Sequence, residues 1–204
     1  MGTQVQAVQT NATAPQVLRA LLDAGCPQSA LTMVAAQSAF ETAGWQGGLW
    51  NWNLGNITQG DSSGDYMVLP GNSLHFVPYS SLDAGAQAFY QYLSGHGLIP
   101  FASANNLSGY VGQLQAIDYA GAACASGQQS TTASPCQDYS SYQTGIQTWM
   151  TKLAGVHPAP SWSSVVVPVA IFGGASLIAW WYHTGALQRF SARFMRPLAR
   201  RAFA

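Results

Sequence analysis

Charge is what this sequence has least of. Its 204 residues hold 7 Lys and Arg and 7 Asp and Glu, or 7% charged, against about a quarter in an ordinary globular chain. Ala, Gly, Ser, Gln and aromatics fill the deficit, so the expected surface is polar but weakly charged. Glutamate is scarcer still, since Glu41 is the only one. No glycine-rich phosphate cradle is present, and His75, His96, His157 and His183 are scattered without metal-ligand spacing. Neither a nucleotide nor a metal is therefore expected, and no cofactor. There are three cysteines, Cys26, Cys124 and Cys136, so at most one intramolecular bridge can form. A Cys124–Cys136 bridge would close a Ser/Thr/Gln-rich loop, with small buried thiols as the alternative. Residues 1–15 are uncharged and lack an apolar core, so no secretory signal is read there. There is no internal repeat.

The few charges that exist are segregated. Residues 1–160 carry Arg19 and Lys152 against seven acids, a balance of −5, whereas residues 161–204 carry five arginines and no acid, +5. Ahead of those arginines lies VVVPVAIFGGASLIAWWY, from Val165 to Tyr182, 18 residues without a charge. At 1.5 Å per residue such a helix spans about 27 Å, the depth of a bilayer's hydrocarbon. Trp162 at one end and Trp180, Trp181 and Tyr182 at the other suit interfacial belts, and the basic tail favours the cytoplasmic side or its equivalent. The run is read as a single transmembrane helix meeting lipid. The arginines then sit at anionic headgroups rather than on a specific nucleic acid.

The remainder alternates helical and irregular stretches. Residues 1–12 are expected to be a flexible arm, disordered or loosely docked. Helices are predicted over 15–24, with Thr13 as cap, over 30–42, with Leu31, Val34, Ala35 and Ser38 on the core face, and over 81–93, with Asp83 in the first turn. Two more carry Leu107, Val111 and Leu114, and Ile146, Trp149, Met150 and Leu153. Between them, residues 66–69 and 74–79 flank Pro70-Gly-Asn and read as a hairpin. The expected fold class is α+β: a mainly helical domain over 13–155 with a small β-hairpin lobe, then a linker at 156–164, the membrane helix, and an Arg-rich tail at 183–204.

Glu41 sits at the end of a hydrophobic helix, where the negative end of the macrodipole and neighbouring Phe40 and Trp45 disfavour ionisation. A carboxyl still protonated near neutral pH can hand a proton to a glycosidic oxygen. Trp45, Trp50, Asn51, Trp52, Asn53 and Asn56 follow within twelve residues. Indole faces suit sugar C–H surfaces and carboxamides suit hydroxyl and acetamido groups; a plain aromatic core is the other reading. For a second carboxylate the candidates are Asp61 and Asp65, which equally suit a turn in Gly-Asp-Ser-Ser-Gly-Asp.

Gln37-Ser-Ala-Phe-Glu41-Thr-Ala-Gly-Trp45 followed by Asn53-Leu-Gly-Asn-Ile57 resembles the helix-then-loop signature of lysozyme-like peptidoglycan hydrolases, nearest to the N-acetylglucosaminidases of flagellar-rod hydrolases and autolysins. His75 to Gly85, Asp118-Tyr119-Ala120 and Tyr139-x-x-Tyr142 resemble later segments of that family, so the likeness covers about residues 28–153. It implies a lysozyme-like fold, Glu41 as general acid, Tyr119 lining the catalytic centre, and Gln37, Trp45, Trp52 and Asn53 along the glycan groove. Two segments depart from the family: Gly55-Asn56-Ile57 stands for Phe-Gly-Ile, and a cysteine-bracketed insertion follows Tyr119 in place of Thr-Asp-Pro. The expected function is a membrane-anchored enzyme that cuts the β-1,4 glycan strand as a glucosaminidase, muramidase or lytic transglycosylase. Its expected setting is a virion opening the wall for genome delivery, or an envelope secretion machine, among other proteins of that complex. The alternatives are an inactive glycan-binding or structural module, and a membrane-lesion former acting through the late helix.

Overall fold

In the computed structural model, the described residues are 2–59, 64–122, 124 and 137–161. The chain divides into two compact units, Met1–Ala159 and Pro160–Ala204, and nearly all of the second lies outside the described residues. The first is mainly helical with little strand.

Its centre is α2 (Leu31–Glu41), in which every residue from Met33 to Ala39 is buried. The sequence pattern predicts one apolar face, but small residues around the whole circumference let neighbours close on every side, as in a fully interior helix. α6 (Tyr139–Leu153) packs along it, burying Tyr139, Tyr142, Ile146 and Leu153. On another side lies α1 (Ala14–Asp23), which turns Val17, Leu18, Ala20 and Leu21 inward and packs on both α2 and α3 (Leu82–Gly95). A short α4 (Ile99–Ser103) and α5 (Leu107–Ala116) complete the shell.

Helix starts follow capping chemistry. Gln16 Oε1 accepts from the Thr13 amide (2.9 Å), Ser81 Oγ from Ala84 N (3.1 Å) and Asn106 Oδ1 from Gly109 N (2.9 Å). Each satisfies an amide near the helix start that has no intrahelical partner. The predicted helices form within a residue or two of their expected ends. α4 was not predicted, because five residues are too few for a helical period to register.

Two expectations need correction. The hairpin shrinks to single bridges: Met67 and Phe76 exchange both amide hydrogen bonds (2.9 Å each), and Thr58 pairs on the far side of Phe76. A stacked Tyr66–His75 pair, 3.9 Å between centroids, reinforces the crossing. The arm at residues 2–12 is docked and not disordered. Gln4 pairs in parallel with Tyr66, and Gln9 pairs antiparallel with Trp50. Asp65 Oδ1 accepts from Thr3 N (3.1 Å) and Asn51 Oδ1 from Val8 N. A polar segment can dock this way because its backbone groups find partners on two neighbouring segments, which composition does not reveal.

Among the described residues no helix is long and apolar enough to cross a membrane. The run at 165–182, the tail, Asp61 and Cys136 lie outside them. Cys124 is disulfide-bonded, whereas Cys26 is a buried free thiol, its pKa pushed up to about 12 by burial.

Candidate active site

The last turn of α2 delivers Glu41 to a partly buried position beside α6. Two groups donate to its carboxylate. The Tyr142 hydroxyl donates to Oε1. Asn56 Nδ2 donates to the Glu41 carbonyl oxygen (2.7 Å) and lies 3.4 Å from Oε2. Phe40 meets the Tyr142 ring edge-on at 4.8 Å and holds the phenol against the helix. Burial raises the Glu41 pKa to about 6, and the hydrogen bonds from Tyr142 and Asn56 pull against that rise. Desolvation prevails because it acts on the whole carboxylate, whereas one donor is well placed and the other is long.

Behind Glu41 lies a closed layer of phenols and one amide. Gln37, one turn earlier on α2, is fully buried, and its Oε1 accepts from the Tyr110 hydroxyl. The Tyr119 hydroxyl donates to the Gly55 carbonyl at 2.5 Å. Burial drives the phenols of Tyr110, Tyr119 and Tyr142 well above their usual pKa, and the Glu41 charge adds to each. All three therefore stay protonated and serve as donors. Gly55 allows the approach: a Cβ there would strike the Phe89 ring and the Tyr119 oxygen.

The segment leading from α2 to Asn56 is strained. Ala43, Trp45, Asn51, Trp52 and Asn56 all have positive φ, between 43° and 62°. Each such residue costs on the order of 1–2 kcal/mol, and such strain persists only where the surroundings over-determine it. Here the constraint is visible. Ser38 Oγ donates to Leu54 O (2.8 Å) and accepts from the Trp45 indole (2.9 Å). Asn53 Nδ2 donates to Ile57 O and Val77 O, while its Oδ1 accepts from Ile57 N.

These contacts reassign several predicted site residues. Trp45 is 2% exposed, bonded to Ser38 and tilted against Trp149, so it is core and has no face left for a sugar. Asn53 is 1% exposed with its amide committed to backbone, so it staples the loop instead of reading substrate. Gln37 is interior as well. Of Gln37, Trp45, Trp52 and Asn53, only Trp52, half-buried, keeps the surface access that a glycan contact requires. Asp65 is exposed and caps the N-terminal arm, and no carboxylate is among the groups that shift Glu41. Tyr119 does join the cluster, through its hydroxyl to Gly55 and the coupling to Glu41. The reading from sequence missed Tyr142 and Asn56 as partners of the acid. Tyr139, Tyr142 and Ile146 do share a helical face, which marks that face as inward but not what it meets. Among the described residues no group of three or more His, Cys, Asp and Glu is placed to hold a metal.

Compared with protein families, curated proteins and solved structures, this chain matches none.

Proposed function

We propose that the chain is a peptidoglycan-cleaving enzyme of lysozyme-like type, with Glu41 as the acid that protonates the glycosidic oxygen of the β-1,4 strand. The observation that carries this reading is a half-buried carboxyl at a helix end with a pKa near 6 and two donors on it. Such a group is about half protonated near pH 6 and keeps roughly a tenth of its acid form at pH 7, enough to donate and recover a proton within a catalytic cycle. Because Oε1 is occupied by the Tyr142 hydroxyl, the transferable proton resides on Oε2. That proton passes to the leaving oxygen as the glycosidic C–O bond breaks, and Tyr142 and Asn56 stabilise the carboxylate left behind.

Glu41 is the one carboxylate of the cluster among the described residues, Asp61 lying outside them, and the transglycosylase course needs no second one. A hydroxyl of the substrate's own sugar then closes on the oxocarbenium carbon and returns its proton to Glu41, leaving an anhydro end. The apolar run at 165–182 and the basic tail support anchoring to a membrane, with a wall-opening virion as the favoured setting.

Zymography on peptidoglycan with wild type and Glu41→Gln tests the acid role. The variant is expected to lose at least about a hundredfold in rate; equal clearing by both removes the proposal, and no clearing by either leaves a non-catalytic glycan module. Mass spectrometry of the products distinguishes the course, since an anhydro end is lighter by one water than a reducing end.

A further inference from the structure

We propose that Tyr119 is a positioning residue of this site: by holding the Gly55 carbonyl, its hydroxyl locks Asn56 in the backbone conformation that aims the Asn56 amide at Glu41 Oε2. Asn56 has φ +48°, a left-handed conformation that glycine adopts freely and that a residue with a Cβ adopts at a cost. Asparagine tolerates it better than most, and here its side chain has a use. One Nδ2 hydrogen goes to the Glu41 carbonyl oxygen (2.7 Å), an acceptor that the end of α2 leaves without an intrahelical partner. The other faces Glu41 Oε2 (3.4 Å).

Both peptide planes flanking Asn56 are pinned. The Tyr119 hydroxyl donates to Gly55 O (2.5 Å), which fixes the plane before it, and Ile57 N donates to Asn53 Oδ1 (2.8 Å), which fixes the plane after it. Since φ and ψ are the only soft backbone torsions of a residue, holding both planes holds the direction of the Asn56 side chain. Asn53 is a clamp within the loop itself. Tyr119 reaches in from just beyond the end of α5, where its amide donates to Leu114 O (3.0 Å) and its ring meets Tyr92 edge-on at 5.6 Å. Only glycine at 55 leaves room for this contact, because an added Cβ would come within 2.8 Å of the phenol oxygen. The amide so placed favours charge on Oε2. Its contact is loose with a neutral carboxyl and shortens into a charge-assisted hydrogen bond once the proton has left. An interaction that strengthens as charge develops speeds the transfer itself. The Tyr119 hydroxyl is spent on Gly55, so it acts on Glu41 through Asn56.

This inference rests on Glu41 being the reactive acid, but its test does not depend on activity. Since Glu41 is the only glutamate, carboxyl-13C-glutamate labelling of the full chain, held in nonionic detergent micelles, yields one side-chain carboxyl resonance that needs no assignment. In wild type it is expected to titrate near pH 6. Asn56→Gly keeps the left-handed backbone without strain and removes the amide, so it is expected to raise that value by about half a unit. Tyr119→Phe is expected to raise it by roughly half as much, and to add nothing in the Asn56→Gly background, because its action passes through that amide. One Asn56 side-chain amide proton, identified by its loss in Asn56→Gly, is expected to move with the Glu41 transition in wild type. Should Tyr119→Phe fail to fold, replacing Tyr119 by para-aminophenylalanine carries the test, since this weaker donor of nearly the same size is expected to move the titration in the same direction. A Glu41 titration unmoved by the change at Tyr119 overturns the proposal, as does a shift that persists in full without the Asn56 side chain, or an Asn56 amide that ignores the Glu41 transition. A wild type that clears no peptidoglycan yet shows these shifts removes the enzymatic reading and supports the positioning role by itself.

Discussion

Ionising Glu41 is harder in the folded protein than in the unfolded chain, and the difference reaches beyond catalysis. Its folded pKa of about 6 lies above the ordinary 4.5. Its contribution to stability is therefore fully present below pH 4.5 and lost as pH rises through about 6, a loss of about 2 kcal/mol. Glu41→Gln carries no titrating group, so its stability relative to wild type should improve by up to that amount between pH 4 and pH 7.5. Urea unfolding at both pH values checks this, and a difference between the two proteins that is independent of pH would contradict it. In the proposed acid role the protonated form of Glu41 is the active one, so kcat/KM should fall as pH rises through about 6. Neighbouring polar residues divide by role at this same scale. Asn53→Ala removes three hydrogen bonds inside the loop and should cost about 2–4 kcal/mol by chemical denaturation. Asp65→Asn should keep lytic activity within a fewfold, because the Asp65 carboxylate serves the arm; loss of activity in this variant would return Asp65 to the catalytic pair.

The elements explain why these side chains meet. α2 is built of small residues, so α6 can approach until Phe40, Tyr142 and Glu41 touch, and the strained turn at 43–45 then carries the chain away at once. Gly44 sits in that turn with φ +74°, and a Cβ there would run into the Trp149 indole. Gly44→Ala should lose about 2–4 kcal/mol, from the left-handed backbone together with overpacking at α6; a change below 1 kcal/mol in urea unfolding would mean that α6 can yield. The predicted helices were legible because each repeats its apolar positions over ten or more residues and begins at a recognisable cap. Of the β lobe only the crossing of Met67 and Phe76 was legible, as a hairpin around Pro70-Gly-Asn; the other bridges, between residues 57–59, 75–77, 66 and the arm, are single crossings. None of these runs is long enough to show a two-residue period. The arm itself reads as polar coil, yet it is docked by hydrogen bonds with little apolar burial, and segments of that kind open locally. Amides of Val5 and Thr10, although bonded to Tyr66 O and Leu49 O, should therefore exchange hydrogen much faster than those of α2.

At the scale of the molecule, the charge asymmetry and the apolar run at 165–182 are the basis of the proposed membrane anchoring. The full chain is expected to float with liposomes, and the chain ending at residue 161 to stay in solution; flotation of both would place the membrane contact in the helical unit. The sequence by itself determined the mainly helical class, since local periodicity and capping suffice for that. It also drew attention to Glu41 as a lone glutamate ending an apolar helix, although its raised pKa comes from burial in the fold. The tertiary structure decided everything that depends on which surfaces meet. Trp45 and Asn53 look like sugar binders beside Glu41 in the chain, but burial and saturated hydrogen bonds commit them to the scaffold. Tyr142, 101 residues away, became the partner of the acid only when α6 closed on α2. Composition and spacing describe what a side chain can do, whereas long-range packing determines which of its atoms remain free to do it.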